Sequence, residues 1–148
     1  MDAEKFTKKS LEVIESCEKL AYEYNNQELT QAHLMYALVT VEDSLIAKLL
    51  TNMGINMDAF TGECEKLVAN RPKVSGGQLF TSPEFSKALI QAEKEAKQMG
   101  DDYISVEHIF LGLLEKADKD IKRVINAYGI TRGKFLEVLA NIRGNRKV

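Results

Sequence analysis

Residues 100–114 read GDDYISVEHIFLGLL, and residues 25–38 read NNQELTQAHLMYAL. In each stretch a turn is followed by a hydroxyl residue that can cap a helix, a histidine three positions later and an apolar run. The two histidines, His33 and His108, stand 75 positions apart. The main feature of this sequence is therefore an internal repeat and not a catalytic signature.

The repeat extends well beyond the two stretches. Residues 13–68 align on residues 88–143 without a gap and share ten identities, and most other apolar positions match in kind. Apolar residues recur at helical spacing through both halves, and four helices are expected in each. The sequence therefore predicts an all-α domain in which two four-helix repeats stack about a pseudo-twofold axis.

Turn residues set the expected boundaries within the 148-residue chain. Pro72 and the paired Gly76 and Gly77 interrupt the helical pattern, so residues 69–80 are predicted as a linker between repeat one (6–68) and repeat two (81–143). Thr7 is predicted to cap the first helix. The run TSPE at 81–84 predicts a capping box that starts from the threonine.

Composition narrows the possible partners. The formal net charge is −2, so no basic field would attract nucleic acid or an anionic membrane. The first residues are charged and no apolar core of a signal peptide follows, which predicts a cytoplasmic location. Cys17 and Cys64 both fall on helical apolar faces, which predicts reduced core residues rather than a disulfide.

Three motifs resemble a known family. They are Phe6-Thr7, residues 103–114 and the run GIT at 129–131. Together they are similar to the N-terminal double Clp repeat of the Clp family of AAA+ unfoldases, and the resemblance covers nearly the whole chain. Residues 25–27 and 143–146 resemble the ClpB-type disaggregase branch of that family.

The resemblance implies a function. It implies a domain that is not itself an enzyme and that engages unfolded or aggregated polypeptide, or an adaptor protein, in a shallow apolar groove with an acidic rim. By motif, the implied substrate-binding residues are Thr7, Asp101, Tyr103 and Glu107. A single domain of this kind is expected to be monomeric, with no catalytic residue, metal or cofactor of its own.

The resemblance also implies what would follow the domain. Residues 144–148 are expected to begin the connection to an AAA+ ATPase module, which would bind ATP and magnesium. The full-length protein would then be a hexameric ATPase that receives the substrate at its central pore. Several tethered domains on one ring would strengthen weak binding by avidity.

A second interpretation within the binding class is a ClpC-like receptor for adaptors or phosphoarginine. ClpC-type domains carry a glutamate before the histidine in both repeats, whereas this chain has Ala32 in the first repeat and Glu107 in the second. Only half of a paired phosphoarginine site could therefore be present.

An alternative of another class is a small metal-dependent hydrolase that uses His33 or His108. With Cys17 and Cys64 these histidines reach the count of a zinc site, but they lack its close ligand spacing. A triad of Ser105, His108 and Asp101 would have no nucleophile elbow before it. Residues 129–135 are one residue too short for a phosphate-binding loop and have phenylalanine where magnesium needs a hydroxyl.

Overall fold

The computed structural model describes residues 2–144. A 3₁₀ turn at Ala3–Lys5 precedes eight helices within this range, and two short strands accompany them. The helices are α1 (Lys8–Glu23), α2 (Gln31–Thr40), α3 (Leu45–Asn52), α4 (Met57–Ala69), α5 (Pro83–Gln98), α6 (Val106–Glu115), α7 (Lys119–Ala127) and α8 (Arg132–Arg143), and the strands are β1 (Glu28–Leu29) and β2 (Phe80–Thr81).

The helices of the two halves correspond almost residue for residue. A shift of 75 positions carries α1 onto α5 and α2 onto α6 with both ends coinciding, and it carries α3 and α4 onto α7 and α8 to within one residue at an end. The predicted all-α double repeat is confirmed. Residues 145–148, where the connection to a further module was expected to begin, lie outside the described residues.

Helices α2 and α6 form the centre of the core. Eight of the ten residues in each helix are buried, because each packs against helices of its own repeat and of the other. Both are apolar on nearly all sides, which is the pattern of a fully enclosed helix. The largest side chains of the interior include four phenylalanines, Phe60, Phe85, Phe110 and Phe135. Burial of each stabilises the fold by roughly 1.5–3 kcal/mol.

Reciprocal backbone pairing joins the two repeats. Strand β1, in the turn before α2, pairs in parallel with β2, which precedes α5. In the same way Ile104, in the turn before α6, forms a parallel bridge with Phe6, which precedes α1. In each repeat, the segment before the first helix thus pairs with the turn before the second helix of the other repeat, as a twofold relation requires.

Side-chain caps begin most of the helices. The Thr7 hydroxyl accepts a hydrogen bond from the Ser10 backbone N–H, as the sequence predicted. At α5 the prediction was wrong by one residue, because Ser82 and not Thr81 accepts from the Phe85 N–H at 3.0 Å. Thr81 instead lies in β2, which holds its backbone in an extended conformation.

The two cysteines behave as predicted. Cys17 and Cys64 are both buried and unpaired. Burial raises the pKa of the Cys64 thiol to about 12 and raises that of Cys17 as well, so both stay protonated. Within residues 2–144, no helix is both long enough and apolar enough to cross a bilayer.

Candidate functional site

An open cleft of about 600 Å³ lies where the start of the chain meets helix α5. Its apolar lining comes from Phe6, Leu89, Ile90 and Ile104, and Thr81 and Ser86 line it with hydroxyl groups. The Phe6–Ile104 bridge fixes one side of the cleft, since Ile104 donates its N–H to Lys5 O at 2.7 Å.

Ile90 is the exposed apolar residue of this cleft. Its side chain is 58% accessible, whereas the neighbouring Leu89 turns into the core at 3%. The equivalent residue of helix α1, 75 positions earlier, is Glu15. The first repeat therefore exposes a charged side chain at this position, whereas the second exposes an aliphatic one. Exposed apolar surface in a cleft is typical of a binding site.

A charged group borders the cleft. Lys5 Nζ lies 2.8 Å from Glu93 Oε2, and Asp2 also lines the cleft. The hydrogen bond from Lys5 and its positive charge hold the pKa of Glu93 below its usual range. The cleft thus has an apolar part and a charged part, and the charged part consists of one lysine and two acidic residues.

Two of the four residues predicted to bind substrate adjoin this cleft without lining it. Thr7 is half-buried, and its backbone N–H donates to Ile104 O at 3.0 Å. Tyr103 precedes Ile104 and is 51% exposed. The start of the first helix and the turn of the second repeat therefore lie side by side.

The other two predicted residues lie in the interior. Asp101 is 8% exposed and Glu107 is 5% exposed, so these carboxylates do not form the exposed acidic rim that was predicted. The physical reason is Arg143 at the end of α8, whose guanidinium forms an ion pair with Asp101 and lies 4.0 Å from Glu107 Oε2. Buried charges are tolerated when they are paired in this way.

His108 connects this ion pair to the start of α6. The Ser105 N–H donates to His108 Nδ1 at 2.9 Å, so in the neutral ring the proton is on Nε2, which lies 2.7 Å from Asp101 Oδ2. The Ser105 hydroxyl is 3.0 Å from Nδ1. The serine, histidine and aspartate contact one another in series, as the residues of a hydrolase triad do. However, His108 is fully buried and Ser105 is only 6% exposed.

The first repeat repeats this geometry without the acid. The Thr30 N–H donates to His33 Nδ1 at 3.0 Å, and His33 Nε2 lies 2.8 Å from the amide oxygen of Asn26. The shared function is therefore helix capping by the histidine. Both histidines are fully buried.

The surroundings of the two histidines differ in charge. Burial and the nearby Arg71 lower the pKa of His33 to about 4. Burial also lowers the pKa of His108, but the hydrogen bond to Asp101 and the charges of Glu107 and Asp101 oppose that effect.

Comparison with known proteins identifies the family. The Clp repeat N-terminal domain model matches residues 5–128. This chain belongs to the Clp N-terminal domain family. It is 39% identical over its whole length to the chaperone protein ClpB of Clostridium tetani and 38% identical to that of Nitratidesulfovibrio vulgaris. It spans 18% of the length of each of these relatives.

A solved structure agrees with the Clp fold. The Hsp104 N-terminal domain from Candida albicans superposes with a TM-score of 0.84 at 21% identity, covering 97% of this chain and 94% of that one. The superposition confirms the fold, and the match to the family model confirms the resemblance stated from the motifs. Across the described part of this Clp domain, no three His, Cys, Asp or Glu side chains are grouped as a metal site requires.

The family motifs in the sequence include Phe6 and Ile104 of the cleft in this Clp domain, but none of its lining residues from α5 and β2. The apolar spacing in α5 indicates a core face that includes Leu89, and it gives no contact role to Ile90 or Thr81. One signal was available, since Ile90 lies off that apolar face and its repeat equivalent is Glu15. Arg143 was also missed, because a charged residue at the end of a predicted helix ordinarily indicates solvent.

Proposed function

We propose that this domain recognises unfolded or aggregated polypeptide for a ClpB-type AAA+ disaggregase. The observation that carries the proposal is the exposed side chain of Ile90, which lies in one cleft with the apolar residues Phe6 and Ile104. Unfolded chains present aliphatic and aromatic side chains in many registers, and a shallow apolar surface with few obligatory hydrogen bonds accepts many of them.

The four residues implied by the family have two kinds of role in this proposal. Thr7 and Tyr103 extend the contact surface beyond the cleft, since both adjoin residues that line it. Asp101 and Glu107 act indirectly, because their pairing with Arg143 holds the turn that carries Tyr103 and Ile104. An adaptor protein with an apolar segment would use the same surface.

The rest of the machine belongs to the part of ClpB that this chain does not span. In the proposal that part binds ATP and magnesium, assembles as a hexameric ring and draws in the polypeptide. A single cleft would bind weakly, with a dissociation constant of roughly 10–1000 μM. Several domains on one ring would hold the same substrate together by avidity.

Replacement of Ile90 by glutamate tests the proposal, because it gives α5 the residue that α1 has at the same position. Binding of a reduced, carboxymethylated protein, followed by NMR titration of the domain, should weaken about tenfold, the loss expected for removing one aliphatic contact. In the wild-type domain, signals of Phe6, Thr7, Tyr103 and Ile104 should shift together.

Tyr22→Glu is the matched control. Tyr22 is an exposed apolar residue of α1, 66% accessible, and it does not line the cleft. This variant should change the affinity less than twofold. Equal affinity of Ile90→Glu and wild type, or shifts confined to α3 and α4, would show that the cleft is not the binding surface.

A further inference from the structure

The outer edge of strand β2 faces the cleft. The Phe80 N–H donates to Gln27 O at 3.0 Å, and the Ser82 N–H donates to Leu29 O at 2.9 Å. In a parallel ladder, alternate residues of a strand bond to the same neighbouring strand. The N–H and C=O of Thr81, between these two, therefore point away from β1, and Thr81 is exposed and lines the cleft.

Backbone groups and apolar side chains thus meet in one place. The strand edge at Thr81 borders the same cleft as Leu89 and Ile90 of α5, with Phe6 and Ile104 completing its apolar lining. A bound helix could fill the apolar space, but its backbone groups are already used within the helix. An extended segment could pair with Thr81 and place alternate side chains in the cleft.

We infer that the cleft binds an unfolded polypeptide as an added β-strand, paired with the backbone of Thr81. The inference rests on the proposed function and specifies the conformation of the substrate. The occupant is an extended segment with β-branched or aromatic residues at alternate positions. A basic residue at one end suits the cleft, because its charged lining of Asp2, Lys5 and Glu93 carries one net negative charge.

The first repeat has a different residue and a different use of the backbone at the equivalent position. Thr81 corresponds to Phe6, whose N–H donates to Ala3 O at 3.2 Å in the 3₁₀ turn. Ile90 corresponds to Glu15, which replaces the exposed apolar residue by a charge. The strand site is therefore a property of the second repeat, with one copy in each domain.

Thr81→Pro tests the pairing from the side of the protein. Proline removes the Thr81 N–H and favours an extended residue before it, as β2 already has at Phe80. The probe is a fluorescein-labelled peptide, Lys-Val-Ser-Val-Gln-Val-Ser-Val, in which only alternate residues are β-branched, and its binding is followed by fluorescence anisotropy. Thr81→Pro should weaken its binding about fivefold, the loss of one hydrogen bond, while Thr81→Val should stay within twofold of wild type.

The peptide itself supplies a test that leaves the protein unchanged. Two versions carry N-methyl groups on alternate residues, one on each of the two sets. In a strand only one set faces Thr81, so one version should bind at least fivefold more weakly than the parent peptide and the other less than twofold more weakly. An equal effect of both versions would overturn the strand model even if Thr81→Pro were to misfold.

The outcomes separate this inference from the proposed function. If Ile90→Glu weakens binding while Thr81→Pro and both methylated peptides bind like their parents, the cleft binds polypeptide but not as a strand. If the wild-type domain binds neither the peptide nor the carboxymethylated protein, both proposals fail. Circular dichroism melts of each variant confirm that the compared domains are folded.

Discussion

The two repeats share a backbone but differ in the chemistry of their interiors. In the second repeat, Asp101, Glu107 and Arg143 form a buried charged group beside His108. At the equivalent positions the first repeat has Asn26, Ala32 and Val68, none of them charged. All three positions change together, so the first repeat buries no carboxylate there that would need a partner.

This comparison explains an asymmetry that the sequence alone left open. Asp101 and Glu107 are acidic only in the second copy, and the family resemblance implied that they bind substrate. In the structure both carboxylates lie beside a single buried cation, Arg143 at the end of α8. The charged group ties the last helix to the turn before α6, and that turn carries Tyr103 and Ile104 beside the cleft.

The packing of the two halves differs at another pair of positions, Ala37 in α2 and Gly112 in α6. A Cβ atom added to Gly112 would overlap the carbonyl oxygen of Ala88 and lie 3.0 Å from Ala92 N. Helices α5 and α6 therefore approach more closely than a side chain at this position allows.

Gly112→Ala, which copies the residue of the first repeat, should have the largest effect. We expect a loss of about 3 kcal/mol in the free energy of unfolding, because backbone cannot move aside as a flexible side chain can. Urea unfolding followed by circular dichroism measures the loss.

Gly62→Ala is the matched control, since Gly62 lies inside α4 and a Cβ there would meet nothing within 4 Å. Alanine's higher helix propensity should make this variant up to about 1 kcal/mol more stable than wild type. If Gly112→Ala matched that gain, the close approach of α5 and α6 would not constrain the fold.

Asp101→Asn tests the charged group and should have the next largest effect. It gives His108 the partner that His33 has, but it leaves Arg143 buried without the charge of Asp101. We expect a loss of about 2–3 kcal/mol, measured by urea unfolding at pH 7, because an amide keeps the shape but not the charge.

The triple variant Asp101→Asn, Glu107→Ala and Arg143→Val completes the conversion to the first repeat. It should be more stable than Asp101→Asn alone, because replacing a whole buried charged group is often close to neutral. If the triple variant were less stable than the single one, the three residues would not act as one group.

Much of the fold was predictable because the two aligned halves of the sequence each indicate the same helix boundaries. Helical spacing predicted four helices in each repeat, and left-handed turns at Gly54 and Gly129 follow the ends of α3 and α7. The strands were not predicted, because two residues are too few to show alternation. The 3₁₀ turn at Ala3–Lys5 was missed for the same reason of length.

The site was less predictable, since its residues come together only through the stacking of the repeats. Phe6, Ile90 and Ile104 lie far apart in the chain and line one cleft. Gln31 illustrates the same limit, because its side-chain amide bonds Glu84 O and Lys116 O at 2.9 and 2.8 Å. Its repeat equivalent is Val106, so neither helical period nor self-alignment indicated a polar contact between the repeats.

The pH dependence of stability gives the finest comparison of the two histidine sites. The pKa of His33 is about 4 in the folded protein and close to 6.5 when unfolded, so the unfolded state binds the proton more readily. Its contribution to stability is complete above pH 6.5 and is lost as the pH falls toward 4. At pH 5 the loss relative to pH 7 should be about 2 kcal/mol from this residue, measured by urea unfolding at both values.

His33→Gln removes the titration and keeps a side chain that can accept from the Thr30 N–H, since glutamine is a normal capping-box residue at this position. The variant should lose less stability than wild type between pH 7 and pH 5. His108→Gln should reduce the pH dependence by a smaller amount, because Asp101 and Glu107 already oppose the lowering of the pKa of His108. An equal reduction in the two variants would mean that the acids of the second repeat do not influence their histidine, and the electrostatic contrast between the repeats would be lost.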